Sequence, residues 1–402
     1  MNFEKNEGKY IMNNYYFDNA ATTKVLPVIA MAMADTMTNN YGNPSSIYET
    51  GQSAHEVLDE ARDRVAKLIN AASPEEIIFT CGGSEGDTLI LEGIAHQYAK
   101  RGKHIITSAI EHHAILHTCK DLEKQGYKVT YLPVDEYGLV SPEAVEAAIT
   151  DETILISVMY ANNEIGTIEP IREIGAIARK HHVFMHTDAV QAVGHIDIDV
   201  QRDNIDLLTL TAHKFHGPKG TGAIYVRKGI RPANLIFGGH QENGLRPGTE
   251  NTAGILGLGM AAEHARLHMA EHAEQMTALR DKLIKGIIKA IPEVKLNGHP
   301  TKRLPNNVNV SIRYIEGEGM LLHLDMNGIA ASSGSACTSG SLDPSHVLLA
   351  IGLTHERAHG SLRLTLSEFT TEKEVDFVLK TLPGIVENLR KMSPLYNTRK
   401  ER

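Results

Sequence analysis

Residues 77–85 read Ile77-Ile78-Phe79-Thr80-Cys81-Gly82-Gly83-Ser84-Glu85: a short β-rich apolar run that breaks into paired glycines, a hydroxyl and then a helical pattern. A run that is apolar at consecutive positions fits a strand covered on both faces, as in a parallel sheet flanked by helices. Working outward, similar runs recur at 105–108, 129–134, 154–159, 183–187, 207–211 and 223–226, with longer helical patterns between most of them. That rhythm predicts βαβ units and an α/β fold built on a mostly parallel, seven-stranded sheet.

Beyond residue 265 the pattern changes. Leu279, Leu283, Ile284, Ile287, Ile288 and Ile291 are spaced for one face of a helix. Val308 to Ser311 and Ser361 to Leu366 read as strands, and a last helix precedes Pro394. The expected organisation is a flexible extension over 1–14, a large domain over 30–264, and a smaller α+β domain formed by 15–29 with 265–402.

The chain has 402 residues, 42% hydrophobic and 22% charged, which excludes a disordered or collagen-like polymer. A formal charge of -9, with 40 basic against 49 acidic residues, gives no footprint for nucleic acid. No apolar stretch approaches the roughly 20 residues that span a bilayer, and Met1 to Lys9 lacks the apolar centre of a signal peptide. A cytoplasmic protein with no membrane or nucleic-acid partner is expected. Cys81, Cys119 and Cys337 are too scattered for a disulfide framework, and no CxxC pair marks a zinc site. No metal ligand is assigned.

Open α/β sheets place ligands at the carboxyl ends of their strands, so the polar residues just after each run carry the chemistry. Gly82-Gly83-Ser84 offers backbone N–H groups and a helix dipole to a phosphate, although paired glycines also make ordinary turns. Lys214 closes the run at 207–211. A lysine is usually a solvated charge, but one desolvated at a strand end can join a carbonyl as a Schiff base. Asp188 ends the run at 183–187, where it suits either a helix N-cap or a ring nitrogen that must stay protonated. His112 and Asn163 follow two further runs.

Taken in order, Tyr41-Gly42-Asn43-Pro44-Ser45-Ser46, His112, Asn162-Asn163-Glu164-Ile165-Gly166, His213-Lys214, Gly238-Gly239-His240-Gln241-Glu242, Arg246-Pro247-Gly248-Thr249-Glu250-Asn251 and Ser333-Gly334-Ser335-Ala336-Cys337-Thr338-Ser339-Gly340 resemble the NifS/IscS cysteine desulfurases. These are fold-type I enzymes of the class V aminotransferase family that use pyridoxal 5'-phosphate (PLP). The resemblance runs from about Tyr16 to the last helix.

The resemblance implies that Lys214 holds PLP covalently and that His112 stacks on its ring and moves protons near the substrate thiol. It sets Asp188 against the pyridine nitrogen, and Gln191 and Asn163 near the phenolic oxygen. Gly83, Ser84, Thr211 and His213 match phosphate-binding positions. Thr249 matches a residue that reaches the phosphate of the neighbouring subunit, which implies a homodimer. Arg363 and Asn163 would bind the substrate, L-cysteine, which becomes L-alanine as its sulfur passes to Cys337 as a persulfide. A sulfur-acceptor protein, such as an iron–sulfur scaffold, is the implied partner. Selenocysteine cleavage is the near alternative.

Other readings of the same residues belong beside this one. The eleven residues from Ala331 to Ser341 hold five serines, two glycines and no large apolar side chain, so a mobile loop is expected around Cys337. In Ser361-Leu362-Arg363-Leu364-Thr365-Leu366 the alternation turns Arg363 away from the leucines, where its planar fork suits a carboxylate. Free cysteines are usually buried and inert, the reading kept for Cys119 and Cys81. Cys81-Gly82-Gly83-Ser84 departs from the commoner Ser-Gly-Ala-Thr, and Ser367-Glu368 from Gly-Arg. His355-Glu356-Arg357-Ala358-His359 fits the zinc-peptidase pattern HExxH and is the sharpest rival. A silent scaffold that kept the fold is the second; the presence of Lys214 and Cys337 argues against it.

Overall fold

The computed structural model describes residues 15–333, 344–394 and 396. The expected extension over 1–14 and the segment holding Cys337 lie outside them. Strands are numbered in chain order: β1 (Tyr15–Tyr16), β2 (Ile77–Thr80), β3 (His104–Ser108), β4 (Lys128–Leu132), β5 (Thr153–Ser157), β6 (Phe184–Asp188), β7 (Leu207–Thr211), β8 (Gly222–Val226), β9 (Val294–Leu296), β10 (Asn307–Ile312), β11 (Ile329–Ala330) and β12 (Ser361–Thr365).

The main sheet has seven strands in the order β2-β8-β7-β6-β5-β3-β4. Only β8 runs against its neighbours β2 and β7; the remaining pairings are parallel. β2, β3, β5, β7 and β8 are buried along their whole length, which is why they read as unbroken apolar runs. Helices cover both faces, with Ile90, Leu91 and Ile94 on one side and Ile171, Ile174 and Ala178 on the other. Because the parallel strands share a direction, their carboxyl ends meet at one edge.

A second core gathers Leu283, Ile287, Val308, Val310, Leu362, Leu364, Val375 and Leu382 around the antiparallel sheet β12-β10-β9. The apolar stripe from Leu279 is the last part of one 39-residue helix, Thr252–Ala290, which runs from the main core into the second without a break at 265. Ile288 is exposed on it, and Ile291 lies just past its end, so the stripe is narrower and shorter than its spacing predicts. The last helix, Glu372–Met392, opens with a Thr371/Glu374 capping box. Residues 15–24 stitch the two cores together. β1 pairs with β11, the Asn19 amide donates to the Thr365 carbonyl, and the Thr23 N–H donates to the His213 carbonyl. Among the described residues no helix is long and apolar enough to cross a membrane.

Candidate active site

Five strand ends deliver side chains to a single cavity of about 240 Å³. Register explains the floor. β6 and β7 run parallel with Asp188 opposite Thr209, so Asp188 closes one strand as β7 continues to Thr211 and then tightens into the turn Ala212–Lys214. Asp188, Thr211, His213 and Lys214 therefore share one wall. Lys214 Nζ lies 2.6 Å from the Ala20 carbonyl oxygen and 3.0 Å from that of Ala21, so it reaches across the cavity to the crossing segment. The Gln191 amide is fixed 3.0 Å from the same Ala20 oxygen.

The helix Gly83–Tyr98 begins with no side-chain cap at Gly82, so its first N–H groups and dipole are turned to the cavity beside Ser84. A Cβ at Gly83 would come within 2.8 Å of the Val190 side chain, which explains the glycine there.

His112 is the N-cap of the helix His113–Lys124. Its Nδ1 accepts the Ala114 N–H at 3.2 Å, which leaves the hydrogen of a neutral ring on Nε2. Burial, with a smaller push from the Lys214 ammonium, lowers the His112 pKa to about 4, so the ring is neutral near pH 7. Burial likewise raises Asp188 to about 6, against the Val190 N–H and the Lys214 charge, which favour its ionised form. Asp87, which no motif singled out, lies fully buried on the cavity floor; burial and the nearby Asp188 push its pKa well up. Asp87 Oδ1 has no hydrogen-bond partner, and the buried His186 ring stands 3.8 Å away, held by Ser157 and Thr209.

Arg363 closes the cavity from the second core and is 2% exposed. Its side chain leaves the leucine face, as the alternation predicts. The fork is not idle: one Nη donates to the Asn163 carbonyl and the other meets Asp18 Oδ1, both at 3.0 Å, while Nε has no hydrogen-bond partner. Asp18 was not legible as a site residue, although Phe17-Asp18-Asn19-Ala20-Ala21-Thr22 carries the signal of a small polar run after the first apolar residues. Asn163 lines the cavity; Asn162 instead ties the loop, donating to the Ile110 carbonyl and accepting from the Glu164 and Ile165 N–H groups.

One sequence candidate falls elsewhere, and one is not described. Thr249 is exposed and outside the cavity lining of its own chain, and Cys337 lies outside the described residues. The HExxH match forms a five-residue helix with His355 and Glu356 exposed and Glu356 turned 3.6 Å from Arg313. Its side chains form no ligand group among the described residues, so the peptidase reading has no site. Cys119 is fully buried and burial raises its pKa to about 12, as an inert thiol requires; Cys81 is exposed.

The arrangement fits PLP. A buried carboxylate stands ready for a ring nitrogen, an uncapped helix start with Ser84 suits a phosphate, and the Lys214 amine lines the same cavity.

Three comparisons bear on the family. The aminotransferase class-V family matches residues 15–378. A cysteine desulfurase IscS of Clostridium botulinum (strain Hall) is 58% identical over 383 residues, 95% of this chain and 96% of that one. A solved NifS-like protein superposes with a TM-score of 0.88 at 39% identity, covering 94% of this chain and all of its own. A structure titled SspA in complex with cysteine follows at 37% identity and a TM-score of 0.78, over 89% of this chain and 100% of its own. With the cavity and its walls in this arrangement, the chain belongs to the class-V aminotransferase family as a NifS/IscS-like, PLP-dependent cysteine desulfurase.

Proposed function

We propose that the cavity holds PLP on Lys214 and takes L-cysteine against Arg363, and that the substrate's sulfur leaves on Cys337. The observation that carries this reading is the convergence of Lys214, Asp188, His112 and the uncapped start of Gly83–Tyr98 on one cavity. When bound, PLP supplies an electron sink for the substrate's α-carbon. Asp188 would keep a negative charge beside the ring nitrogen. Gly83, Ser84, Thr211 and His213 would cradle the phosphate, and Gln191 and Asn163 would orient the phenolic side.

The remaining steps belong to the chain's own groups. Lys214 Nζ takes the substrate's α-proton and later returns a proton to carbon. Arg363 supports the substrate carboxylate with its planar fork, and Asp18 holds that fork in place. His112, neutral and with its hydrogen on Nε2, donates a hydrogen bond toward the substrate sulfur. The Cys337 thiolate attacks that sulfur; a sulfur–sulfur bond forms as the substrate's carbon–sulfur bond breaks, and the carbon skeleton leaves as L-alanine.

The exposed Thr249, outside its own cavity, supports a homodimer in which it completes the phosphate site of the partner. The persulfide would pass to an acceptor protein serving iron–sulfur assembly. The division into a large PLP-binding domain (30–264) and a small domain (15–29 and 265–402) belongs to the same proposal.

The test is turnover of L-cysteine with alanine and sulfide measured together, coupled to intact mass. A gain of one sulfur atom that vanishes in Cys337→Ser, with the yellow colour kept, is the expected result. Normal turnover by Cys337→Ser would remove Cys337 from the reaction.

A further inference from the structure

We propose that His264, His272 and Glu368 form a binding site for one divalent cation of the zinc class, between the long helix Thr252–Ala290 and the turn that follows β12. The site is separate from the cavity that holds Lys214, and its argument does not use the desulfurase reading.

His264, His268 and His272 lie at positions i, i+4 and i+8 of one continuous helix, so their rings share a face. The rings pack with centroids 4.9 Å (264–268), 5.6 Å (268–272) and 5.6 Å (264–272) apart. Glu368 approaches this face from the second core. One of its oxygens lies 2.9 Å from His264 Nε2 and the other 2.8 Å from His272 Nδ1. The three ligand atoms fall within 4.8 Å of one another, and among the described residues no other trio of histidine, cysteine or acidic side chains does so.

Tetrahedral zinc with bonds of about 2.0–2.2 Å spaces its ligand atoms roughly 3.3–3.6 Å apart, so small side-chain rotations turn the present contacts into coordination. Two imidazoles and one carboxylate are the donor set that suits zinc and its neighbours rather than calcium or magnesium. All three side chains border a small, partly open cavity of about 20 Å³, close to the space one water or ion occupies. Glu368 is 9% exposed and the two imidazoles 27% and 21%: the charge of an ion is compensated in a partly dry setting, and a solvent ligand can complete its shell. His268 stands exposed at the outer side of the cluster.

The position gives the ion a structural task. His216, two residues past Lys214, borders the same small cavity, and its ring packs edge-on against Phe369. An ion on Glu368 clamps the end of β12, which carries Arg363, to the long helix behind the Lys214 turn.

The test uses holoenzyme purified without a histidine tag, stripped with EDTA, its thiols alkylated so that cysteine sulfur does not compete, and dialysed against zinc chloride. The expected result is one zinc per chain by mass spectrometry of the metal, an anomalous peak at the zinc edge between the three side chains, and a higher thermal midpoint. His264→Gln, His272→Gln and Glu368→Gln are each expected to weaken zinc binding by at least about 100-fold and to erase the thermal shift, while His359→Gln, in the HExxH segment, keeps both. Absence of zinc from the wild-type chain, or equal retention by the three variants, overturns the site.

Discussion

The two sides of the cavity handle charge in opposite ways. On the strand-end side, Asp188, Asp87 and His112, and behind the lining Glu111, next to His112 in sequence, are buried with few charged partners, and burial drives each toward its neutral form. On the side built by the second core, Arg363 is just as buried but already paired with Asp18. A polar group kept neutral by burial gains a great deal from a ligand that brings the missing charge, whereas a paired group can only exchange one partner for another. The first side is thus arranged for tight, lasting occupancy, the second for a ligand that comes and goes.

Lys214→Ala should break the first side most severely. The yellow absorbance is expected to disappear and alanine formation to fall by at least about 10⁴-fold; a coloured, active variant would show that another group holds the cofactor. Asp188→Asn is next: colour is retained but kcat drops by about 10²–10³-fold, as when one aligned electrostatic partner is removed. Unchanged kcat would show that the carboxylate is only structural. Arg363→Lys probes the second side. Loss of the planar fork should raise KM for L-cysteine by about 10- to 100-fold with a smaller change in kcat, and a KM that stays put would mean that the arginine serves only Asp18.

The smallest expected effect sharpens the comparison through pH. Glu111, whose Oε1 accepts from Ser108 and Met159 and whose Oε2 is unpartnered, has its pKa raised by burial from 4.5 to about 8. Between these values the folded chain binds more protons than the unfolded one, so its contribution to stability is full below pH 4.5 and is lost as pH rises to about 8. Urea melts of Glu111→Gln across that window should show a shallower loss of stability than the wild type; parallel curves would refute the neutral carboxyl.

The strand ends were legible because strands buried on both faces leave continuous apolar runs with polar residues just after them. Lys214, Asp188, His112, Asn163 and Ser84 could be named that way, and each borders the cavity. The two- and three-residue strands β1, β9 and β11 were not, because so few residues establish no period. Asp18 and Asp87 escaped for another reason: their places depend on contacts across 345 positions in one case and on a buried helix face in the other, neither of which a local pattern encodes. The long helix hid its length because its apolar face turns from one core to the other, so the stripe is interrupted midway.

That helix has a mechanical consequence. At about 1.5 Å per residue its 39 residues span close to 58 Å, and it is the spar on which both cores are mounted. A continuous hydrogen-bonded rod resists sharp bending, so this spar, the crossing strap of residues 15–24 and the hydrogen bonds from Arg303, Asn307 and Asn309 to the Glu164 and Ile165 carbonyls together limit how far the arginine wall can swing relative to the lysine wall. The width of the doorway for an amino-acid substrate therefore depends on backbone segments far longer than the cavity they frame.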